Sequence, residues 1–126
     1  MSNEVVLVIE DDSGLRAIIG ELLRLEGYEV ALAENGLEGV KLARERRPGI
    51  ILCDAVMPVM DGFEVIRALR ADETTAMIPV IVMTARIDRG NIRQIEETGA
   101  AGFLPKPFEP DELFALLSRP WDDSGP

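Results

Sequence analysis

Val5-Val6-Leu7-Val8-Ile9-Glu10-Asp11-Asp12 is an unbroken apolar run, mostly β-branched, that ends on three carboxylates. A run without polar alternation suits a strand covered on both faces, as in a parallel sheet. Ile50-Ile51-Leu52 and Val80-Ile81-Val82-Met83 are runs of the same kind, and Val30-Ala31-Leu32 and Gly102-Phe103-Leu104 are shorter candidates. Each run is followed by a stretch with helical spacing. The five pairs predict an α/β fold: one doubly wound domain, a five-stranded parallel sheet and helices on both faces.

The helices carry their own signals. Leu15, Ile18, Ile19, Leu22 and Leu23 recur at three and four residues, and Gly27 is placed to stop the first helix. Asn35 with Glu38, and Asp61 with Glu64, have the spacing of capping boxes. The fourth helix is expected from near Asp88 to Gly99. The fifth has Pro110 in its first turn and Leu113, Leu116 and Leu117 on one face. Beyond Leu117 the composition suits a tail or the start of a linker, so residues 1–119 are expected to form the domain and 120–126 the tail. Trp121, in that tail, is expected to pack back on the fold.

Composition excludes several chemistries. The chain has 126 residues, 47% of them hydrophobic, with 13 Lys plus Arg against 23 Asp plus Glu, a net charge of −10. That apolar content can bury a core, unlike a disordered acidic tail. A phosphate backbone would repel the charge, so direct nucleic-acid binding is not expected. No apolar stretch approaches a membrane span, and Met1-Ser2-Asn3-Glu4 lacks the basic start of a signal peptide, so the expected location is the cytoplasm. The one cysteine, Cys53, cannot form an internal disulfide. With no histidine, the chain cannot build a Ser-His-Asp or Cys-His centre, and any metal site must be made of oxygen.

Ligands of open α/β sheets bind outside the carboxyl ends of the strands. The first strand runs into Glu10-Asp11-Asp12, the third into Asp54, the fourth into Thr84, and the fifth approaches Lys106. Singly, each has an ordinary explanation: Asp12 as a helix cap, Asp54 in a solvated loop, Thr84 as a β-branched strand end, Lys106 as a surface lysine. Together they put carboxylates, a hydroxyl and an ammonium at one edge. Clustered carboxylates repel one another, and a hard divalent cation such as Mg²⁺ relieves that repulsion. An Asp carboxylate can attack phosphorus when the entering charge is neutralised, work that Mg²⁺, Lys106 and Thr84 could divide. With no base to speed hydrolysis, such a site behaves as a switch more than as a turnover enzyme.

Val8-Ile9-Glu10-Asp11-Asp12, Cys53-Asp54-Ala55-Val56-Met57-Pro58 with Asp61-Gly62, Met83-Thr84-Ala85 and Leu104-Pro105-Lys106-Pro107-Phe108 resemble, as a set, the receiver domains of bacterial two-component response regulators. The resemblance covers Val5 to about Leu117 and implies strand order 2-1-3-4-5. It implies that Asp54 is the phosphoacceptor and that Glu10, Asp11, the Asp54 carboxylate and the backbone carbonyl of Val56 hold Mg²⁺ (or Mn²⁺). Asp11 is aligned with the metal because Arg16 then lies five residues on; Asp12 becomes a cap or outer charge. Thr84 resembles the switch hydroxyl and Lys106 the phosphoryl-binding cation, behind a Lys106-Pro107 bond expected to be cis. Ala85 is small, which leaves the phosphoryl group accessible.

Phe103 resembles the aromatic switch of the family, where many members have Tyr, and equally suits a core strand residue. The resemblance also places Val56 and Arg86 at the two positions that tune dephosphorylation in the family. Neither guides water well, so slow loss of the phosphoryl group is expected. Arg86, Arg89 and Arg93 could form a basic stripe for an acidic partner, but the expected reading is a solvated flank with Arg89 and Arg93 paired to Glu96 and Glu97. The implied partners are a sensor histidine kinase or phosphotransfer protein as donor, and an output domain or downstream protein on the face of the fourth helix, fifth strand and fifth helix. Three other readings fit less well. A haloacid-dehalogenase-like hydrolase would want Asp where Val56 stands, a flavin-binding flavodoxin would want a hydroxyl-rich first loop, and a pure interaction module would not need the acceptor set.

Overall fold

The structure, a computed structural model, describes residues 5–119; Trp121 lies outside the described residues. Five strands alternate with five helices: β1 (Val5–Ile9), α1 (Ser13–Leu25), β2 (Glu29–Ala33), α2 (Gly36–Arg46), β3 (Ile50–Asp54), α3 (Gly62–Arg70), β4 (Val80–Thr84), α4 (Arg89–Glu97), β5 (Gly102–Pro105) and α5 (Pro110–Leu117). All strand pairings are parallel and the sheet order is β2-β1-β3-β4-β5.

The continuous apolar runs are explained by two cores, one on each face of the sheet. Alternate residues of β1 point to opposite sides: Leu7 and Ile9 join Val40, Val65, Ile66, Leu69 and Ile95 beneath α2, α3 and α4. Val6 and Val8 join Ile19, Leu23, Leu113 and Leu117 beneath α1 and α5. None of the described helices is long and apolar enough to cross a membrane.

Helix boundaries follow the local chemistry. Asp12 caps α1 by accepting from the Leu15 N–H at 3.0 Å, and Gly27, at φ +96°, ends it in a backbone conformation that side chains disfavour. At α3 the capping box is complete: Asp61 accepts from the Glu64 N–H and Glu64 from the Asp61 N–H, both at 2.9 Å. At α2 only half of the expected box forms. Asn35 accepts from the Glu38 N–H at 2.8 Å, but the Glu38 carboxylate turns past it to the Glu34 N–H at 2.8 Å. The Arg89 and Arg93 pairing with Glu96 and Glu97 is not found: among the described residues neither arginine has an ion pair, and the arginine that is paired near the start of α4 is Arg86, with Asp88.

Candidate functional site

Parallel register brings the polar strand ends to one edge. Ile9 lies opposite Cys53, Asp54 opposite Met83, and Thr84 opposite Pro105, so Glu10, Asp54 and Lys106 each sit at the exit of their own strand. Two backbone bonds extend the ladder past its ends: the Ala55 N–H donates to the Met83 carbonyl at 2.9 Å and the Lys106 N–H to the Thr84 carbonyl at 2.8 Å.

Glu10 is 1% exposed and Asp54 6%. The Lys106 ammonium donates to Asp54 Oδ1 at 3.2 Å and to Glu10 Oε1 at 3.3 Å, which ties the ends of β1, β3 and β5 together. The second Glu10 oxygen accepts from the Asp12 N–H at 3.1 Å, and Arg16 donates to the Glu10 carbonyl at 2.8 Å. Burial pushes the Glu10 carboxyl up to about 7, with the Asp54 charge adding to the rise and the Asp12 N–H and Lys106 opposing it. Burial alone would lower the Lys106 ammonium, but Asp54 and Glu10 outweigh it and hold the pKa above its ordinary value. Burial likewise pushes the Cys53 thiol well up, so this cysteine is an inert core residue.

Carboxylate oxygens of Glu10, Asp11 and Asp54 all lie within 4.8 Å of one another. Three oxygen donors, two buried and one exposed, fit a hard divalent cation: the set is crowded with negative charge that a single ammonium does not neutralise. Asp12, turned away to cap α1, is not among them. Val56 is exposed just past the strand end.

Thr84 also reaches this edge, 3% exposed, but its hydroxyl bonds neither Asp54 nor Lys106. It donates to the Arg86 carbonyl at 3.2 Å and accepts from the Arg86 N–H at 2.9 Å and from the Asn91 amide at 3.2 Å. Asn91 is a site neighbour that the motif spacing misses. The available signal is its place four residues before Ile95, on the buried stripe of α4. Ala85 is exposed and, with Leu15, Ile18, Lys106, Pro107 and Phe108, lines an apolar groove of about 450 Å³. The Lys106-Pro107 bond is cis. Arg86 is exposed and holds Asp88 at 3.0 Å. Phe103 is half-buried against the core beneath α2, α3 and α4.

The model of the response regulator receiver domain matches residues 6–118. Among characterised relatives, the phosphate regulon transcriptional regulatory protein PhoB of Pseudomonas aeruginosa is 36% identical over 126 residues, which is 100% of this chain and 55% of PhoB. The response regulator MprA of a Mycobacterium species (strain KMS) is 38% identical over 125 residues, 96% of this chain and 54% of that protein. The chain thus spans about half the length of these relatives. The chemotaxis protein CheY4 of Vibrio cholerae superposes with a TM-score of 0.89 at 32% identity, covering 94% of this chain and 98% of CheY4. The receiver domain of the sensor histidine kinase PA1611 from Pseudomonas aeruginosa, whose structure has a magnesium ion coordinated in the active-site cleft, superposes with a TM-score of 0.87 at 32% identity, covering 97% of this chain and 100% of that one.

Proposed function

The chain belongs to the response regulator receiver domain family, the phosphorylation switch of two-component signalling, and on that premise we propose that Asp54 is its phosphoacceptor. The observation that carries the assignment is the Lys106 ammonium shared between Asp54 and Glu10 at 3.2 and 3.3 Å, beside a three-carboxylate cluster. Glu10, Asp11 and Asp54, with the Val56 carbonyl, would hold Mg²⁺, or Mn²⁺ with its similar oxygen preference. Bound there, such an ion would supply charge neutralisation for the phosphoryl oxygens.

In the transfer, an Asp54 carboxylate oxygen forms a P–O bond as the P–N bond of a phosphohistidine breaks, and the bonding pair returns to the imidazole nitrogen. Lys106 moves its contact from the Asp54 carboxylate to a phosphoryl oxygen, holding entering charge without a large rearrangement. Thr84 supplies a hydroxyl donor to the same group once it leaves its present partners. The donor is a sensor histidine kinase or a phosphotransfer protein, in the cytoplasm, and its phosphoryl group reaches Asp54 across the small Ala85 side of the groove. Residues 1–119 act as the receiver and 120–126 begin a tail or linker. The face of α4, β5 and α5 meets an output domain or downstream protein, with Phe103 changing its packing as Thr84 moves. The side chains of Val56 and Arg86, the latter occupied by Asp88, orient no water, so the chain removes its own phosphoryl group slowly.

Intact-protein mass spectrometry after incubation with acetyl phosphate tests the reading. A gain of one phosphoryl group is expected with Mg²⁺, none with chelator and none in Asp54→Asn. An unmodified protein under all conditions would overturn it.

A further inference from the structure

We propose that Asn91 is a latch that holds the Thr84 hydroxyl away from the acceptor, so that release of the Asn91 amide is part of the switch. The proposal rests on the phosphoacceptor reading of Asp54.

The Thr84 hydroxyl has one proton and two lone pairs, and all three are used within the segment from Thr84 to Asn91. The proton goes to the Arg86 carbonyl at 3.2 Å, and the lone pairs take the Arg86 N–H at 2.9 Å and the Asn91 Nδ2 at 3.2 Å. The same Asn91 amide group donates to the Arg86 carbonyl at 2.7 Å, so one side chain clasps both ends of the turn. Asn91 is itself held. It is 6% exposed, its own N–H donates to Asp88 Oδ1 at 2.9 Å, and Ile95, one turn later, is buried in the core.

A hydroxyl so engaged has no proton to offer a phosphoryl oxygen on Asp54. To donate there it must give up the Arg86 carbonyl, and turning away strips the buried Asn91 amide of an acceptor unless the first turn of α4 shifts as well. The phosphoryl group and Asn91 therefore compete for one hydroxyl, and each stabilises a different arrangement of the turn. Asn91 makes its Thr84 contact in only one of the two. Removing the amide should thus move the population toward the arrangement that binds the phosphoryl group.

The test uses the full chain and beryllofluoride with Mg²⁺ as the phosphoryl mimic, titrated by calorimetry. Asn91→Ala and Asn91→Ser both leave the Asp88 cap of α4 intact, and either alone suffices if the other folds poorly. Each should bind the mimic about threefold to tenfold more tightly than the parent, the factor that one net hydrogen bond supplies. In a Thr84→Ala background the gain should vanish. A second readout is taken on the free variant: the NMR resonance of the Arg86 amide in Asn91→Ser without mimic should move toward its position in the mimic-bound parent. Unchanged or weaker affinity in the folded variants, or an equal gain without Thr84, would overturn the latch while leaving the acceptor reading standing. Absence of mimic binding by the parent would overturn the acceptor reading and the latch with it.

Discussion

A methyl group at Gly62 would stand 2.6 Å from the backbone carbonyl oxygen of Asp54. The first residue of α3 is thus pressed against the end of β3, and its N–H donates to the Ala55 carbonyl at 3.0 Å. The obstacle is backbone, which cannot swing aside as a side chain would. Gly62→Ala should cost about 1–3 kcal/mol in urea denaturation, through overpacking that pushes the acceptor loop outward. An unchanged midpoint would show that the loop yields freely.

Glu10 predicts the pH dependence of the metal-free protein. Its carboxyl titrates at about 7 in the fold against an ordinary value of 4.5. Between those values the folded chain keeps a proton that the unfolded chain has released, so this stabilisation is complete below the lower value and is lost as pH rises through the upper. In chelator, the melting temperature should fall from about pH 5 to about pH 7 and level off above. Glu10→Gln should remove that segment of the profile, and Mg²⁺ should stabilise the parent most above pH 7, where the ligand is ionised. Parallel profiles for parent and variant would contradict the assignment.

Lys106 separates charge from geometry. Lys106→Met leaves the buried Glu10 and Asp54 without a cation; with the lysine side chain 22% exposed, solvent screens part of the loss, and about 1–2 kcal/mol of metal-free stability should disappear. Lys106→Arg should recover much of that stability, because the charge returns. Phosphoryl uptake from acetyl phosphate should remain at least about tenfold slower in both, since a planar fork cannot replace a compact ammonium aimed at one oxygen. Full uptake by Lys106→Arg would reduce the role to charge alone.

Val59 is 93% exposed and sits at φ +72°, in the left-handed region that a β-branched side chain disfavours. The turn is closed by the Met60 N–H donating to the Pro58 carbonyl at 2.7 Å, a backbone bond that does not depend on the valine side chain. Val59→Asn should raise thermal stability by about 1 kcal/mol, since asparagine tolerates the same backbone geometry. A lower melting temperature would mean that the valine makes a compensating contact.

The fold was legible because its signals are local. Uninterrupted apolar runs such as Val5–Ile9 mean a strand covered on both sides, whichever helices do the covering, and Asp12, Asp61 and Pro110 mark helix starts by chemistry confined to one turn. The gathering of Glu10, Asp54, Thr84 and Lys106 at one edge was also legible, since parallel strands all exit at the same end. The capping box at Asn35 and the pairing of Arg89 and Arg93 fared worse. Long charged side chains at helical spacing have several partners within reach, and spacing does not choose among them.

What the amino-acid sequence by itself determined is therefore the α/β architecture and the set of residues delivered to the carboxyl edge of the sheet. Tertiary structure alone decided what those residues do once there. Glu10 turns inward to Lys106 while Asp12, two residues on, turns back to cap α1. Thr84 gives its hydroxyl to Arg86 and Asn91 and not to Asp54. The physical reason is directional: a hydrogen bond depends on the path of the turn and the rotamer of each partner, and these are set by neighbours packed through space that linear spacing does not encode.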